Sequence, residues 1–518
     1  MIASEPALLE SYLGGRWVAG TGAPADLVDP VRGEVLARTS SAGLDLGFAL
    51  AFAREVGRPA LGALDFAQRA ALLGAIADVL AARRDDWYAI SRRNSGNTRA
   101  DAAIDVDGAI GTLKYYAKLG ATLGSATLLL DGAPARLARD ANFQGVHLGI
   151  PLPGLAIHIN AFNFPAWGLW EKAAVALLAG VPVLAKPATA TALLAVEMTR
   201  AVSDAGILPP GALSLLVGSA GELLDYLRFG DAIAFTGSAR TAEAIRSHPR
   251  VRAEGVRLNV EADSLNAALL GPDGLPGTPI FGAFVREVVR EMTSKAGQKC
   301  TAIRRVIVPA VHVDAVVAAI SEGLDAIAVG DPSDEGVGMG PLVSREQRAA
   351  VEDGIRSLSD VAAIVYRGEK PANGAFVPPT LLRAPADAAL VHIKEIFGPV
   401  ATVVPYKDAA DAFVLARRGG GSLVVSVFSA DAEFLIASAA ELGSSHGRVL
   451  LVDPSIADAH TGHGIVLPSC VHGGPGRAGG GEELGGLRGL WFYHQRTAVQ
   501  GSAPVVAALA ARGASITG

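Results

Sequence analysis

The sequence predicts an α/β protein built on two doubly wound parallel sheets. Two observations lead to this prediction: four strand–helix units follow one another between residues 154 and 248, and a second α/β series begins near residue 264. Short apolar strands that alternate with helices are typical of parallel sheets. At 518 residues, half of them hydrophobic, the chain is too long for a single core and should divide into two or three units.

The first half of the chain contains helices, a hairpin and the four strand–helix units. Residues 65–120 are predicted to be helical because apolar side chains recur at helical spacing, and residues 126–149 are predicted to form a hairpin that turns at 131–134. In the units that follow, strands are predicted at 154–159, 181–185, 212–217 and 232–235, and helices at 166–178, 191–205, 221–228 and 241–248.

The second half repeats the α/β pattern and then changes character. Its predicted helices are 281–296, 312–327 and 345–356, and its predicted strands are 304–309, 362–366, 400–405 and 422–428. The stretch 473–486 is too rich in glycine for regular structure, whereas residues 490–499 have the composition of a strand.

Composition and charge exclude several classes of function. The net charge of −6 is spread along the chain without a basic block, which argues against nucleic-acid or anionic-membrane partners. No apolar stretch reaches the ~20 residues of a membrane span, and the first residues lack the basic start and apolar run of a secretory signal. Two cysteines cannot build a disulfide framework, so we expect a cytoplasmic protein.

Cys300 is the first candidate for chemistry. It follows a bend of small residues that contains Gly297 and precedes the predicted strand 304–309. A thiol presented at such a bend is accessible, as a nucleophile must be. The alternative is that Cys300 is a small buried apolar residue.

Glu261 and Asn163 are the other two candidates. Glu261 ends an apolar run where two domains should meet, so partial desolvation would raise its pKa and let it act as a general base; the alternative is an ordinary salt-bridged or solvated glutamate. Asn163 lies in an Asn-Phe-Pro turn between a strand and a helix, where its amide could donate to an oxyanion or simply cap the helix.

A cluster of histidine and cysteine residues near the C-terminus offers zinc ligands. It contains His460, His463, Cys470 and His472. The spacing matches no zinc-finger pattern and the region is a glycine-rich loop, so we predict no metal site.

Six motifs in a fixed order carry a resemblance to a known family. They are Asn163-Phe-Pro, Lys186-Pro-Ala, Phe235-Thr-Gly-Ser238, Glu261, Gly297-Gln-Lys-Cys300 and Glu395-Ile-Phe397-Gly-Pro. With these motifs the chain resembles the NAD(P)-dependent aldehyde dehydrogenase superfamily over nearly its whole length. The resemblance implies a cofactor-binding domain (1–125 and 150–262), a catalytic domain (263–487) and a small β oligomerisation element (126–149 and 488–518) of a homodimer.

The resemblance also assigns catalytic roles. Cys300 would be the nucleophile and Glu261 the base that activates the deacylating water. Asn163 and the backbone N–H of Cys300 would form the oxyanion hole. Lys172 and Glu483 match positions that the family associates with proton relay.

Cofactor contacts follow from the same comparison. Phe235, Gly237 and Ser238 end a strand and begin a helix, where backbone N–H groups can receive a pyrophosphate. By resemblance, Glu395 and Phe397 would contact the nicotinamide ribose and ring.

Lys186 and Thr189 bear on the choice of cofactor. NAD-preferring relatives commonly place a glutamate at the position of Thr189, where it would repel a 2′-phosphate. Threonine removes that repulsion and can donate to a phosphate, with Lys186 nearby, so we predict NADP as the cofactor and NAD as the weaker alternative.

The segment 471–486 indicates the substrate class. It resembles the branch of the family that oxidises CoA-thioester semialdehydes in aerobic aromatic degradation, which implies a CoA-linked C6 semialdehyde as substrate. Glycine-rich backbone can approach a pantetheine arm, and Arg477 could meet its phosphates, although a solvated loop arginine is the alternative. Two other functions stay open: a dehydrogenase of a free aliphatic or aromatic aldehyde, and a non-catalytic oligomeric binding protein on the same scaffold.

Overall fold

The computed structural model describes residues 6–515 and confirms the α/β class, with two seven-stranded sheets and a smaller β element. The strands are β1 (Leu8–Leu9), β2 (Ser11–Leu13), β3 (Arg16–Val18), β4 (Ala25–Val28), β5 (Val35–Thr39), β6 (Leu128–Leu130), β7 (Ala135–Arg136), β8 (Phe143–Pro151), β9 (Ala156–Ile159), β10 (Val183–Lys186), β11 (Leu213–Leu215), β12 (Ala232–Thr236), β13 (Arg257–Glu261), β14 (Ala267–Leu270), β15 (Arg305–Pro309), β16 (Ala363–Arg367), β17 (Thr380–Arg383), β18 (Val400–Tyr406), β19 (Ser422–Phe428), β20 (His446–Val452), β21 (Val471–Gly473), β22 (Glu482–Leu484), β23 (His494–Ser502) and β24 (Gly513–Ser515).

Helices cover the faces of both large sheets. They are α1 (Leu46–Phe52), α2 (Arg58–Gly62), α3 (Phe66–Ala81), α4 (Arg84–Ser95), α5 (Arg99–Ala121), α6 (Trp167–Leu178), α7 (Ala192–Asp204), α8 (Ala239–Ser247), α9 (Pro249–Ala253), α10 (Pro279–Thr293), α11 (Val313–Asp325), α12 (Arg345–Ser359), α13 (Ala409–Arg417), α14 (Ala432–Leu442) and α15 (Ala503–Ala510).

The first large sheet has the order β13-β12-β9-β10-β11-β2-β3. Strands β9 to β13 run parallel, and β2 and β3 extend the edge in antiparallel pairing. The chain order reverses between β9 and β12, which makes this point the topological switch of a doubly wound sheet. Ligands of such sheets bind in the crevice outside the carboxyl ends of the strands at this point.

The second large sheet has the order β16-β17-β18-β15-β14-β19-β20, and only its edge strand β16 is antiparallel. Cys300 precedes β15, and Glu395 and Phe397 precede β18. These residues therefore lie at the amino ends of two neighbouring strands of the second sheet.

The third element is a five-stranded sheet in which β23 pairs with β8 along nine residues and β6, β7 and β24 complete it. The predicted hairpin is thereby confirmed as sheet, although its main partner is β23 near the end of the chain. The domain boundaries given above stay a prediction.

Three predicted elements differ from the structure. Residues 221–228 hold only a 3-10 turn at Leu223–Tyr226, and the strand predicted at 490–499 starts at His494 after a 3-10 stretch. Helix α10 ends at Thr293 rather than at residue 296, because Lys295 and Ala296 have φ values of 52° and 50°. Such left-handed backbone cannot continue a right-handed helix.

Within residues 6–515 no single helix has both the length and the apolarity to cross a membrane. One bent pair, 46–62 and 66–81 at 113°, meets that test on length and composition only.

Candidate active site

A cavity of about 760 Å³ opens at the switch point of the first sheet and faces the second sheet. Its walls come from the segments after β9, β12 and β13, and from residues that precede β15 and β18. The volume lies in the range of about 300–1,000 Å³ that is typical of ligand sites. A narrower cavity of about 40 Å³ continues beyond it, and Cys300, Glu261 and Asn163 line both.

Cys300 is presented by a strained segment after α10. Gly297 has φ of 66°, and a Cβ there would lie 2.2 Å from the carbonyl oxygen of Gly398, so only glycine fits. On the other side, the amide of Asn266 donates to the carbonyls of Cys300 (2.8 Å) and Ala302 (3.0 Å). The backbone on both sides of the thiol is therefore fixed.

Two aspartates of α5 hold the Cys300 segment and the start of α6 in place. Asp101 accepts a hydrogen bond from the backbone N–H of Lys295 (2.8 Å), and Asp105 accepts from the backbone N–H groups of Ala166 (3.3 Å) and Trp167 (2.7 Å). Both carboxylates are buried. One helix thus fixes the strained segment before the nucleophile candidate and the helix that follows Asn163.

Asn163 is buried in the turn that connects β9 to α6. It lines the same two cavities as Cys300, at the junction between them. An amide in this place can donate to an oxygen bound beside the thiol.

Glu261, the last residue of β13, differs from the sequence-based expectation in its electrostatics. Burial alone would raise its pKa, but His472, Lys172 and the Cys300 thiol together lower the pKa of Glu261 to about 2. The expectation of a raised pKa was therefore wrong, because the sequence did not reveal the positive groups around the carboxylate. Glu261 is held as an anion.

The Cys300 thiol shows the opposite shift. Burial and the charge of Glu261, to which the thiol hydrogen-bonds, raise the pKa of Cys300 well above its ordinary value. The resting sulfur is consequently a thiol and not a thiolate, so a base must remove its proton before it can attack.

His472 is a site residue whose role the sequence did not reveal. Its Nε2 lies 3.2 Å from Oε2 of Glu261, and both side chains are buried. Strand β21 carries His472 and pairs it directly with Glu483 of β22. The His472 ring, the Glu261 carboxylate and the Cys300 sulfur lie within 4.8 Å of one another.

The other members of the histidine–cysteine cluster lie apart from this group. His463 is buried, with Nδ1 2.6 Å from the hydroxyl of Ser426, and Cys470 is exposed. The sequence cluster 460–472 therefore does not converge on one point.

Lys172 is buried between two carboxylates beneath Glu261. Its Nζ lies 3.0 Å from Oε1 of Glu171 and 3.1 Å from Oε2 of Glu483. Burial alone would lower the pKa of Lys172, but the two glutamates raise it, so the ammonium stays charged. Asn259, two residues before Glu261, donates to the other oxygen of Glu483 at 3.0 Å.

The predicted cofactor residues fall into two groups. Phe235, Gly237, Ser238, Glu395 and Phe397 all line the large cavity. Lys186 and Thr189 lie beside it and flank Ala188, which is part of the wall; the Thr189 hydroxyl donates to the carbonyl of Gly218 at 3.2 Å. Burial lowers the pKa of Lys186.

Glu395 and Phe397 are fixed by the second sheet. Oε2 of Glu395 accepts from the backbone N–H of Ser264 at 3.0 Å, and the Arg304 guanidinium lies 3.7 Å from Oε1. Burial outweighs Arg304 and raises the pKa of Glu395 to about 7. The same guanidinium lies 5.5 Å from the centre of the Phe397 ring, which meets Phe162 edge-on at 5.6 Å.

Two further polar residues, Asn160 and Arg477, line the large cavity. Asn160 lines both cavities, and neither polar atom of its buried amide has a hydrogen-bond partner, so it can bind a polar ligand group. Arg477 also lines the large cavity, but its guanidinium donates to the carbonyl of Ile393 at 2.6 Å and lies 3.8 Å from Asp263. It is thus not a solvated loop arginine.

Comparison with known proteins agrees with this arrangement. Residues 17–495 match the aldehyde dehydrogenase family. The chain is 52% identical over 477 residues to 3,4-dehydroadipyl-CoA semialdehyde dehydrogenase of Aromatoleum evansii, which covers 90% of this chain and 93% of that one. It is 27% identical to 2-hydroxymuconic semialdehyde dehydrogenase of Pseudomonas sp. (strain CF600), over 94% and 97% of the two chains.

A solved structure shows the same fold. PnpE in complex with nicotinamide adenine dinucleotide superimposes with a TM-score of 0.84 at 24% identity, over 95% of this chain and 97% of PnpE. The family match covers most of the chain, and one relative is 52% identical over 90% of it. The chain belongs to the aldehyde dehydrogenase family, and it is an oxidoreductase that acts on aldehydes.

Proposed function

We propose that this protein oxidises 3,4-dehydroadipyl-CoA semialdehyde, a CoA-linked semialdehyde, to the carboxylic acid with NADP in aerobic benzoate degradation. The observation that carries the proposal is the 52% identity, over 90% of the chain, to the Aromatoleum evansii enzyme of that name. The convergence of Cys300, Glu261 and Asn163 on one cavity supports it, because the reaction needs a nucleophile, a base and an oxyanion donor.

Cys300 forms the covalent intermediate. As the thiol adds to the aldehyde carbon, Glu261 takes its proton and a C–S bond forms. The Asn163 amide and the backbone N–H of Cys300 donate to the oxyanion of the tetrahedral adduct. When bound, NADP would supply the acceptor for the hydride that the carbon of this adduct must lose to become a thioester.

Glu261 completes the turnover. After the proton taken from the thiol has left it, Glu261 removes a proton from a water molecule and the water oxygen attacks the thioester carbon. The C–S bond then breaks, and Glu261 returns this proton to the departing sulfur to restore the Cys300 thiol. The product is a free carboxylic acid, because this base activates water and not a second thiol.

The large cavity fits a dinucleotide at the start of α8. Ser238 caps this helix, and a Cβ at Gly237 would lie 2.6 Å from the Phe235 ring, so the glycine keeps the backbone open to a phosphate. We assign Phe235, Gly237 and Ser238 to the pyrophosphate end, and Glu395 and Phe397 to the nicotinamide end.

Lys186 and Thr189 favour NADP over NAD. Neither residue is an acid, so the edge of the cavity beside Ala188 presents no carboxylate from this segment to a 2′-phosphate. The Lys186 ammonium there can donate a hydrogen bond to it, and the Thr189 hydroxyl can do so when it releases the carbonyl of Gly218.

Lys172 and Glu483 relay protons to and from the site. The ammonium sits between Glu171 and Glu483 and also lines the narrow cavity that reaches Glu261 and Cys300. Charged donors and acceptors in contact can pass a proton between Glu261 and solvent without moving the backbone.

A second candidate substrate is a free semialdehyde without CoA, which the similarity to 2-hydroxymuconic semialdehyde dehydrogenase favours. Steady-state kcat/KM with the CoA semialdehyde, with the same acyl semialdehyde lacking CoA and with simple aldehydes, each with NADP and NAD, decides between them. We expect the CoA semialdehyde with NADP to be preferred. A preference for simple aldehydes by orders of magnitude would refute the CoA assignment.

We further propose a cytoplasmic homodimer that uses the five-stranded sheet as its contact. Strand β23 is an edge of this sheet within the described chain, and Phe143 and Ile150 of the neighbouring β8 are exposed. An exposed edge of nine residues is a template for pairing with a second copy. Sedimentation of wild-type protein tests the assignment, and a monomer would contradict it.

A further inference from the structure

His472 contacts the base candidate and has no role in the steps described so far. Its Nε2 lies 3.2 Å from Oε2 of Glu261, and its ring lines the narrow cavity together with Cys300. The pairing of β21 with β22 fixes the backbone of His472 opposite Glu483. Glu261 therefore contacts both the Cys300 thiol and the His472 ring, and the three side chains lie within 4.8 Å of one another.

We propose that His472 is a positioning residue that acts through Glu261 and receives the proton that Cys300 loses on attack. The inference rests on the proposed role of Cys300 as nucleophile. The thiol proton moves to the Glu261 carboxylate, and the resulting carboxylic acid passes its proton to Nε2 of a neutral His472 ring whose own proton is on Nδ1. The net change is a nucleophilic sulfur and an imidazolium, with Glu261 again an anion, so all protons are accounted for.

The balance of basicity supports this route. When the Glu261–His472 pair holds one proton, that proton lies on the imidazole, because each charge stabilises the other: the pKa of Glu261 is lowered and the pKa of His472 is raised. An imidazole beside it is a far better proton acceptor, because the charge of Glu261 stabilises the imidazolium and raises the pKa of His472 in spite of its burial. The pair thus removes the proton more effectively than Glu261 alone.

Charged groups from four elements face the His472 ring. Glu261 lies on β13 and favours the imidazolium, as does Glu171 on α6, whereas Arg448 on β20 opposes it. Lys172 on α6 acts on Glu261, and Glu483 on β22 lies directly across the strand pair. Because the carboxylate in contact is the nearest of these charges, the imidazolium is favoured overall.

The proposal predicts a pH dependence of Cys300 reactivity that belongs to His472. Below the pKa of His472 the imidazolium cannot accept a further proton, so Cys300 should be alkylated slowly. Above it the neutral ring accepts the proton and alkylation should accelerate. The inflection should lie above the ordinary histidine value of about 6.5 and below that of the isolated buried thiol.

The experiment measures iodoacetamide alkylation of Cys300 against pH, followed by peptide mass mapping so that the exposed Cys470 is scored separately. His472→Gln keeps a hydrogen-bond donor but cannot titrate, and His472→Phe keeps a ring without either property. His446→Gln replaces another buried histidine and is the matched control. Alkylation needs no aldehyde, so the result does not depend on which substrate the enzyme uses.

We expect both His472 variants to lose the inflection and to require higher pH for alkylation, with His446→Gln unchanged. The first-turnover rate of NADPH formation should fall about 10- to 100-fold in both His472 variants, as for residues that orient a catalytic group. The Kd of NADP should stay unchanged, because His472 is not among the residues that line the large cavity where the cofactor is proposed to bind. An unchanged Kd shows that the variants fold.

Two results would overturn the inference. A wild-type pH profile in His472→Gln would show that His472 only packs against Glu261, and a wild-type first-turnover rate would show the same. Turnover by Cys300→Ser is a different outcome, because it would remove the nucleophile and the proposed function together with this inference.

Discussion

Replacing Glu395 with glutamine should remove most of the pH dependence of cofactor binding. Glu395 lines the cavity where the nicotinamide ribose is proposed to bind. The ionised carboxylate accepts strong hydrogen bonds from ribose hydroxyls at both oxygens, whereas the protonated carboxyl has no charge and turns one oxygen into a donor. Its pKa is raised to about 7, first by burial, so the ionised form appears only as the pH rises through that value. Cofactor should therefore bind tightly above about pH 7 and weakly below it.

The magnitude follows from the ionised fraction. With a pKa of about 7, roughly one carboxyl in ten is ionised at about pH 6 and roughly nine in ten at about pH 8. Because the apparent Kd scales inversely with the binding-competent fraction, the wild-type Kd should fall about tenfold over this interval. Glutamine does not titrate, so the Glu395→Gln Kd should be nearly constant.

Calorimetric titration with NAD across this pH range measures the effect, since NAD lacks the 2′-phosphate that titrates in NADP. Glu369→Gln, an exposed glutamate, is the control and should keep the wild-type slope. A flat wild-type Kd, or a tenfold slope that survives in Glu395→Gln, would refute the reasoning.

Three further predictions test other parts of the site. Thr189→Glu should lower the NADP-to-NAD ratio of kcat/KM about tenfold or more, since a like charge beside a phosphate costs about 1–4 kcal/mol, and an unchanged ratio would contradict the cofactor assignment. Asp105→Ala removes the carboxylate that accepts the backbone N–H of Trp167 at the start of α6, so it should lower kcat by up to about 100-fold and leave the cofactor Kd unchanged. Asp107→Ala, on the exposed side of α5, is the control and should have no effect on kcat. Lys172→Met leaves the carboxylates of Glu171 and Glu483 without their cation, at a cost of about 3–5 kcal/mol, so it should lower the midpoint temperature of thermal inactivation. Adding Glu483→Gln to this variant should restore part of the lost stability. Equal midpoints for wild type and Lys172→Met would contradict the stabilising role of this buried ion group.

The fold was predictable because its signals are local. Each strand–helix unit between 154 and 248 carries its own periodicity, and three of the four helices appear as predicted. The errors arise where backbone geometry opposes the pattern, as at the end of α10. There Lys295 and Ala296 have left-handed backbone conformations, which their residue types do not predict.

The site was predictable only where motifs mark it. Cys300, Glu261 and Asn163 meet in one cavity as the motif order implied. The contact between His472 and Glu261 joins β21 to β13 across more than 200 positions, so no periodicity in the sequence could reveal it. The sequence could not predict the direction of the pKa shift of Glu261 for the same reason, because the pKa of a buried carboxylate depends on which charged residues the fold brings close to it.

The side-chain amide of Asn160, which has no hydrogen-bond partner, is another feature that the sequence could not predict. It follows β9 at the switch point of the first sheet, where ligands of doubly wound sheets bind. Only the finished cavity shows that two polar atoms there have no protein partner. A cue was available in the position, three residues before Asn163 and at the carboxyl end of a predicted strand.

The central claim is that the Cys300 sulfur carries the acyl group during turnover. Rapid chemical quench during the first turnover with the CoA semialdehyde and NADP, followed by peptide mass mapping, tests it most directly. We predict an acyl mass increase on the peptide that contains Cys300, in step with the first equivalent of NADPH and absent from Cys300→Ser. NADPH formation at the wild-type rate with Cys300 unmodified throughout would contradict the account.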